Sequence, residues 1–290
     1  MEIKTLTDIY AVTCQIERAA AMRYRNADGK WADVSVAQLR DTVRWLSMGL
    51  RSLGAKPADR VAILSENRPE WAFSDFAILC AAGVTVPIYP TLLSWQIEYI
   101  VNDAGCTVAI ASTHEQLAKL LDIRDHCPCL RQIIVCDAPG ELPEGVTSFA
   151  DLVDLGKREE KAHGPARFDE LRKLASPEDL ATIIYTSGTT GNPKGAMLTH
   201  RNIASNVVAA TDVLPLQPGW VSVSFLPLSH SFERTVDYAY FYKGTIIYYV
   251  DDALKIGQFL PEIKPDVFAA APRVFEKVRA RILDLSLIHI

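Results

Sequence analysis

The chain has 290 residues, is 49% hydrophobic and 22% charged, and carries a formal net charge of -5. That is enough apolar material for one large core or two smaller ones, and the mildly acidic balance argues against a nucleic-acid partner. The opening MEIKTLTDIYAV is too polar for a secretory signal, so a cytoplasmic chain with its six cysteines reduced is expected.

Between residues 34 and 53, apolar side chains recur at helical spacing (Val36, Leu39, Val43, Leu46, Leu50, Leu53), and Gly54 marks the stop. RVAILSEN at 60–67 then reads as a buried strand, PEWAFSDFAILCAAG as a helix and VTVPIYP as the next strand. The longest apolar stretch, 72–90, is interrupted by Asp75, Gly83, Pro87 and Pro90, which argues against a membrane span. A helix over about 94–103, a strand TVAIAS, a helix near 115–121 and a strand QIIVCD follow. Strands alternating with helices at this pace predict an α/β fold with a largely parallel sheet. Cys127 and Cys129 have only His126 beside them and no second ligand pair, so they read as loop cysteines, not metal ligands.

A polar stretch over 139–177 predicts a subdomain boundary. Within it, KREEK at 157–161 mixes both signs and reads as a solvated helix face. Next, the apolar run LATII leads into YTSGTTGNPKG at 185–195. In RNIASNVVAATDVL, Ile203, Val207, Ala210 and Leu214 share a helical face, with Thr199 placed as N-cap. SVSFLPL and GTIIYYV read as strands, and APRVFEKVRARILD as an amphipathic helix.

The loop at 185–195 carries the chemistry. Thr186, Ser187, Thr189 and Thr190 are poor core residues, while Gly188 and Gly191 allow close approach of the backbone to a ligand. Successive amides in such a loop form an anion-binding concavity, and hydroxyls add donors or a magnesium ligand. Lys194 supplies a mobile positive charge, so the sum is a phosphate cradle. It is not a P-loop, because Pro193 precedes the lysine and Gly195 follows it. Nor is it the dinucleotide fingerprint, because Thr190 stands where the second glycine belongs. A plain hairpin loop would explain the glycines but not the lysine and four hydroxyls.

YTSGTTGNPKGAMLTHRN at 185–202 resembles the phosphate-loop signature of the adenylate-forming (AMP-binding) enzymes, which include acyl-CoA synthetases, peptide-synthetase adenylation domains and luciferases. LCAAGVTVPIYPT at 79–91 resembles a helix-to-strand element of their amino-terminal half. SENRPEW at 65–71, FLPLSHSFER at 225–234 and APRVFEKV at 271–278 resemble the long-chain fatty acid CoA ligase branch. The resemblance runs to about residue 284 and implies a partial amino-terminal domain, with parallel-rich sheets sandwiched by helices. It further implies attack of a carboxylate on the α-phosphate of ATP to give an acyl adenylate, then displacement of AMP by coenzyme A.

By matched position, the resemblance assigns the β- and γ-phosphates to Thr186, Ser187, Gly188, Thr189, Thr190, Gly191 and Lys194, with Thr186 also a magnesium ligand. Lys194 and His230 are its catalytic residues; His230 matches the position between acyl pocket and α-phosphate, against a reading as a structural histidine. Glu233 and Arg234 are explained equally well by an ion pair closing their loop. The aromatic run VDYAYFYKGTIIYYV at 236–250 reads as packing before acyl-tunnel lining. The lipophilic substrate implied leads to an expectation of peripheral membrane contact, though no basic amphipathic helix supports it; oligomeric state is not legible.

Members of the family are about twice as long. No Tyr-Gly-x-Thr-Glu segment, ribose-binding aspartate motif, hinge or small carboxy-terminal lid with its lysine occurs here, so a truncated, catalytically impaired product is expected. LSLIHI at 285–290 can be encoded by CTGTCTCTTATACACATC, which resembles a transposon end used in library preparation, and reads as an adapter-derived tail; an ordinary apolar helix end is the alternative. An aryl or amino acid adenylation enzyme and a non-catalytic nucleotide or acyl binding module stay open beside the fatty acid ligase.

Overall fold

The computed structural model describes residues 2–138, 140–186, 192–276, 279–280 and 283; the expected tail at 285–290 lies outside them. The first part of the chain runs α1 (Leu6–Thr13), β1 (Met22–Arg25), β2 (Trp31–Val34), α2 (Val36–Ser52), β3 (Arg60–Leu64), α3 (Pro69–Cys80), β4 (Val84–Ile88), α4 (Ser94–Ala104), β5 (Cys106–Ala111), α5 (His114–Ile123) and β6 (Gln132–Val135). It continues through β7 (Val146–Ser148), α6 (Phe149–His163), α7 (Ala166–Arg172), β8 (Leu180–Thr186), β9 (Lys194–Thr199) and α8 (His200–Val213). Last come β10 (Val221–Ser224), α9 (Ser231–Lys243), β11 (Ile246–Tyr249), α10 (Ile256–Ile263) and β12 (Val267–Phe268).

The strands form two sheets, ordered β7-β6-β5-β3-β4-β8-β9 and β12-β10-β11-β1-β2. All neighbours are parallel except β8 with β9 and β1 with β2. Alternation along the strands sorts the core into layers. Val61 and Ile63 of β3, with Ile247 and Tyr249 of β11, face a central layer built from α1, α2, α3, α7, α8 and α9. Ala62 and Leu64 face the opposite side, under α4 and α5, while Ile246 and Tyr248 turn outward towards α10. The result is five layers, helix-sheet-helix-sheet-helix, in agreement with the α/β expectation.

Local signals explain most element starts. Ser35 and Gln38 form a capping box at α2, Thr199 and Asn202 another at α8, and Pro69 opens α3. Every residue of α3 except Glu70 is buried, as its place between two sheets demands. Central strand β4 contains a proline, and its ladder with β8 registers at one pair, Thr85 opposite Thr182, two residues before Pro87. Without an N–H, Pro87 has no hydrogen to donate where the two strands near their carboxyl ends.

The polar stretch after β6 holds α6, which lies tightly on α2. A Cβ at Gly156 would overlap the Trp45 carbonyl, so only glycine permits the approach. Lys157, Arg158 and Lys161 are exposed as the solvated-face reading expects, but Glu160 is not. Glu160 turns inward, taking a hydrogen bond from Trp45 Nε1 at 2.7 Å and an ion pair from Arg44 at 2.8 Å, because the indole N–H at that contact needs an acceptor. Leu214 also departs from expectation: it falls just past α8 and is exposed, the helix having ended one residue earlier. The helix expected from 271 onward lies partly outside the described residues.

Candidate functional site

Thr186 and Lys194, the two described residues of the expected cradle, sit at the ends of paired strands. β8 and β9 pair antiparallel with Thr186 opposite Lys194 and Tyr185 opposite Gly195. Directly opposed residues project from the same face of a sheet, so the threonine hydroxyl and the lysine amine flank one side of the hairpin mouth. Both are exposed, and Lys194 makes no ion pair among the described residues. Ser187, Gly188, Thr189, Thr190 and Gly191 lie outside the described residues.

What holds the mouth is legible one residue back. The buried Tyr185 ring packs edge-on against Tyr99 and donates its hydroxyl to Asp103 Oδ2 at 2.5 Å, tying β8 to α4. Burial and then the Asp103 carboxylate drive the Tyr185 pKa far upward, so the phenol stays a neutral donor. Gly195 is required opposite it: a Cβ there would stand 2.7 Å from Ile183 Cγ2 and 3.2 Å from Tyr185 Cζ.

His230 caps α9, its Nδ1 accepting the Phe232 N–H at 3.1 Å. With Nδ1 occupied as acceptor, Nε2 is the ring's donor, and the ring is exposed. It borders a cavity of about 550 Å³ whose walls include Tyr89, Leu226, Pro227, Phe232 and Ala271. Tyr89 directly follows β4, the parallel neighbour of β8, so the cavity and the hairpin mouth lie at the same carboxyl edge of the seven-stranded sheet. No hydrogen bond or ion pair joins His230 to Thr186 or Lys194 among the described residues. The two halves of the expected site share an edge without touching.

Beneath them lies a polar network absent from the sequence reading. Arg234, 2% exposed, donates Nη2 to Asp75 Oδ1 at 2.5 Å, Nε to Asp75 Oδ2 at 3.2 Å and Nη1 to Thr182 Oγ1 at 2.6 Å. Asp75 also receives the Thr85 hydroxyl at 2.7 Å and the Tyr238 hydroxyl. Burial alone would lower the Arg234 pKa, but Asp75 and Tyr238 more than reverse it, leaving a raised value and a permanent cation. The network therefore links β8, which ends in the cradle, to α9, which begins at His230.

The ion pair considered for Glu233 and Arg234 does not form. Arg234 points to Asp75 instead, because a carboxylate inside an apolar helix requires a cation more than the cavity-side Glu233 does. Glu233 is fully buried and accepts the Phe225 N–H at 3.1 Å. Burial, then the neighbouring Asp237, pushes its pKa up, and burial does the same to Asp237, which accepts the Tyr249 hydroxyl at 2.8 Å. Most of the 236–250 aromatics are core: Tyr238, Tyr240, Phe241, Tyr248 and Tyr249 are buried. Asp75 had a usable signal, a lone carboxylate in an otherwise apolar run. Asn67 had none.

The AMP-binding enzyme family model matches residues 11–287. Long-chain-fatty-acid–CoA ligase FadD15 of Mycobacterium bovis is 36% identical over 256 residues, 88% of this chain and 41% of that protein. Long-chain-fatty-acid–CoA ligase 5 of Rattus norvegicus is 32% identical, over 97% of this chain and 42% of its own length. The chain thus spans about two fifths of the curated relatives it matches. Among solved structures, the inhibitor-bound N-terminal domain of FACL13 from Mycobacterium tuberculosis superposes with a TM-score of 0.71 at 20% identity, covering 95% of this chain and 65% of that one. A red-emitting luciferase from Phrixothrix hirtus does so with 0.79 at 22% identity, covering 93% and 51%. These neighbours establish the fold, and the family match over nearly the whole length establishes the rest: the chain belongs to the AMP-binding enzyme family.

Proposed function

We propose that the protein carrying this chain activates a fatty acid with ATP and transfers it to coenzyme A. The carboxylate oxygen attacks the α-phosphorus and pyrophosphate leaves; the thiol then attacks the acyl carbonyl and AMP leaves. Both reactants of the first step are anionic, so alignment and fixed positive charge carry the catalysis. The observation that carries the reading is the hairpin mouth, where Lys194, without an ion-pair partner among the described residues, faces Thr186 across a loop of glycines and hydroxyls. Its ammonium offsets charge on the outgoing pyrophosphate, and the loop at 187–191 supplies amide and hydroxyl donors.

Magnesium binds through few protein ligands when phosphates are present. Thr186 would lend its hydroxyl to a magnesium ion brought by the nucleotide. Bound there, it neutralises polyphosphate charge.

The apolar walls beside His230 suit a hydrocarbon chain, and His230 Nε2–H is free to donate between the carboxylate and the α-phosphate. Among the described residues on those walls the one carboxyl is Glu233, which burial pushes towards its neutral form, so the described walls are mainly apolar. This favours a fatty acid over an amino acid. No described helix is long and apolar enough to cross a membrane. The lipophilic substrate proposed is the reason to expect a cytoplasmic protein that meets lipid at its periphery.

Hydroxylamine trapping of acyl adenylates from the full-length protein, ATP and a mixture of fatty, aryl and amino acids tests this. Fatty acyl hydroxamates with pyrophosphate release are expected. Amino acid products alone, or ATP binding without pyrophosphate release, would overturn it.

A further inference from the structure

Among the described residues, Asn67 reaches from the other sheet to hold the backbone of the loop that carries His230. This residue follows β3 in the seven-stranded sheet, whereas the loop follows β10 in the five-stranded sheet. Asn67 Nδ2 donates to the Leu226 carbonyl at 2.7 Å and to Ser224 Oγ at 3.4 Å, and Asn67 Oδ1 accepts the Leu228 N–H at 3.2 Å. The carboxamide thus engages a carbonyl and an N–H two residues apart, as a neighbouring strand would. It is 7% exposed, so each of these bonds is made away from water and an unpaired end would be costly.

Asn67 is itself fixed on both sides. Glu66 takes the Ser112 hydroxyl at 2.5 Å and the Gln116 amide at 3.0 Å, tying it to the region after β5 and to α5. Arg68 reaches Asp137 through two bonds of 2.8 Å and Glu70 at 2.7 Å. The clamp therefore has a rigid base, and its far end sets the path of 226–228. From there the turn closes at once: the His230 N–H donates to the Pro227 carbonyl at 2.9 Å, the bond that delivers the imidazole to the cavity.

We propose that Asn67 is the positioning residue of His230, setting where Nε2 points relative to the reacting carboxylate. The inference rests on the functional reading above for its kinetic arm only. Only a carboxamide fills the role: aspartate would set an oxygen against the Leu226 carbonyl, and leucine would leave both backbone groups unpaired.

The test uses the full-length protein with Asn67→Ala, Asn67→Asp, His230→Ala and the double variant Asn67→Ala/His230→Ala. Adenylate formation should fall on the order of 10- to 100-fold in each Asn67 variant, the scale of a 1 Å misplacement. It should fall no further when Asn67→Ala is added to His230→Ala, whereas an independent structural role would multiply the two losses. Nitrogen-15 spectra of the histidine rings should show the His230 signals shifted in Asn67→Ala and Asn67→Asp, with His200 unchanged. Multiplicative losses or an unmoved His230 signal would overturn the proposal. If the parent forms no adenylate with any acid, the functional reading fails, and the His230 spectrum still decides the role of Asn67.

Discussion

Replacing Arg234 with methionine should destabilise the chain more than any surface change. Methionine keeps much of the apolar stem but removes three donors, two on Asp75 and one on Thr182. Asp75 and Arg234 are each 2% exposed, so the carboxylate left behind has no water to turn to and keeps only the Thr85 and Tyr238 hydroxyls. Breaking one side of such a buried pair costs about 3–5 kcal/mol, a large share of the roughly 5–15 kcal/mol that holds a typical domain. With a urea slope of about 3 kcal/mol/M, the unfolding midpoint should drop by about 1 M or more.

Circular dichroism during urea titration reads this directly. Asp75→Asn/Arg234→Met, which removes the stranded charge while keeping an acceptor, should recover a substantial part of the loss. Because Thr182 lies on the strand that ends in the cradle, stabilisation by ATP should weaken in Arg234→Met as well. A midpoint equal to the parent's, or a double variant with the two single losses simply added, would refute the buried-pair account.

His200 is 1% exposed, accepts the Leu6 N–H at 3.3 Å on Nδ1, and is pushed down to about 4, chiefly by burial, with Asp179 opposing. Its folded value lies below its unfolded one, so the unfolded chain binds the extra proton. Stability should therefore fall as pH drops from about 6.5 towards 4, by about 3 kcal/mol below both values. Melting curves of His200→Asn should lack that increment; an identical pH slope would contradict it. Gly156→Ala should cost about 1–3 kcal/mol, because its Cβ meets the Trp45 backbone and helix α6 must lift from α2; an unchanged urea midpoint would contradict that. Lys194→Gln should leave stability within about 0.5 kcal/mol, since the side chain is exposed, yet abolish most ATP-dependent thermal stabilisation. Undiminished stabilisation by ATP would remove Lys194 from the phosphate site.

Glu233→Gln tests the carboxyl pair. Glu233 titrates higher folded than unfolded, so its contribution is present at low pH and lost as pH rises through the folded value. Glutamine mimics the protonated acid, and the variant should outlast the parent in alkaline melts; equal alkaline melting would count against a retained proton.

Much of this protein was legible in its letters because the signals were local. Helical spacing from Val36 to Leu50 announced α2, and the Thr199 cap announced α8. The contiguous run at 185–202 announced the family, since a motif held in one unbroken stretch needs no partner from elsewhere in the chain. Apart from Leu214, one residue past the end of α8, the misread positions are those whose meaning depends on a distant contact. Glu160 looked like one more solvated charge until α2 came within reach of it. Arg234 looked free to pair with the residue beside it, but adjacent residues on a helix do not face each other, and its partner is Asp75, 159 positions away.

The sequence by itself determined the α/β class and the family, written in periodicity, caps and one unbroken motif. Only the tertiary structure decided that Asn67 reaches across two sheets to the His230 loop, and that Asp75, Thr182 and Arg234 join the cradle strand to the helix His230 caps. Buried polar groups must find partners wherever the packing puts them, and the chain's order does not record where that is.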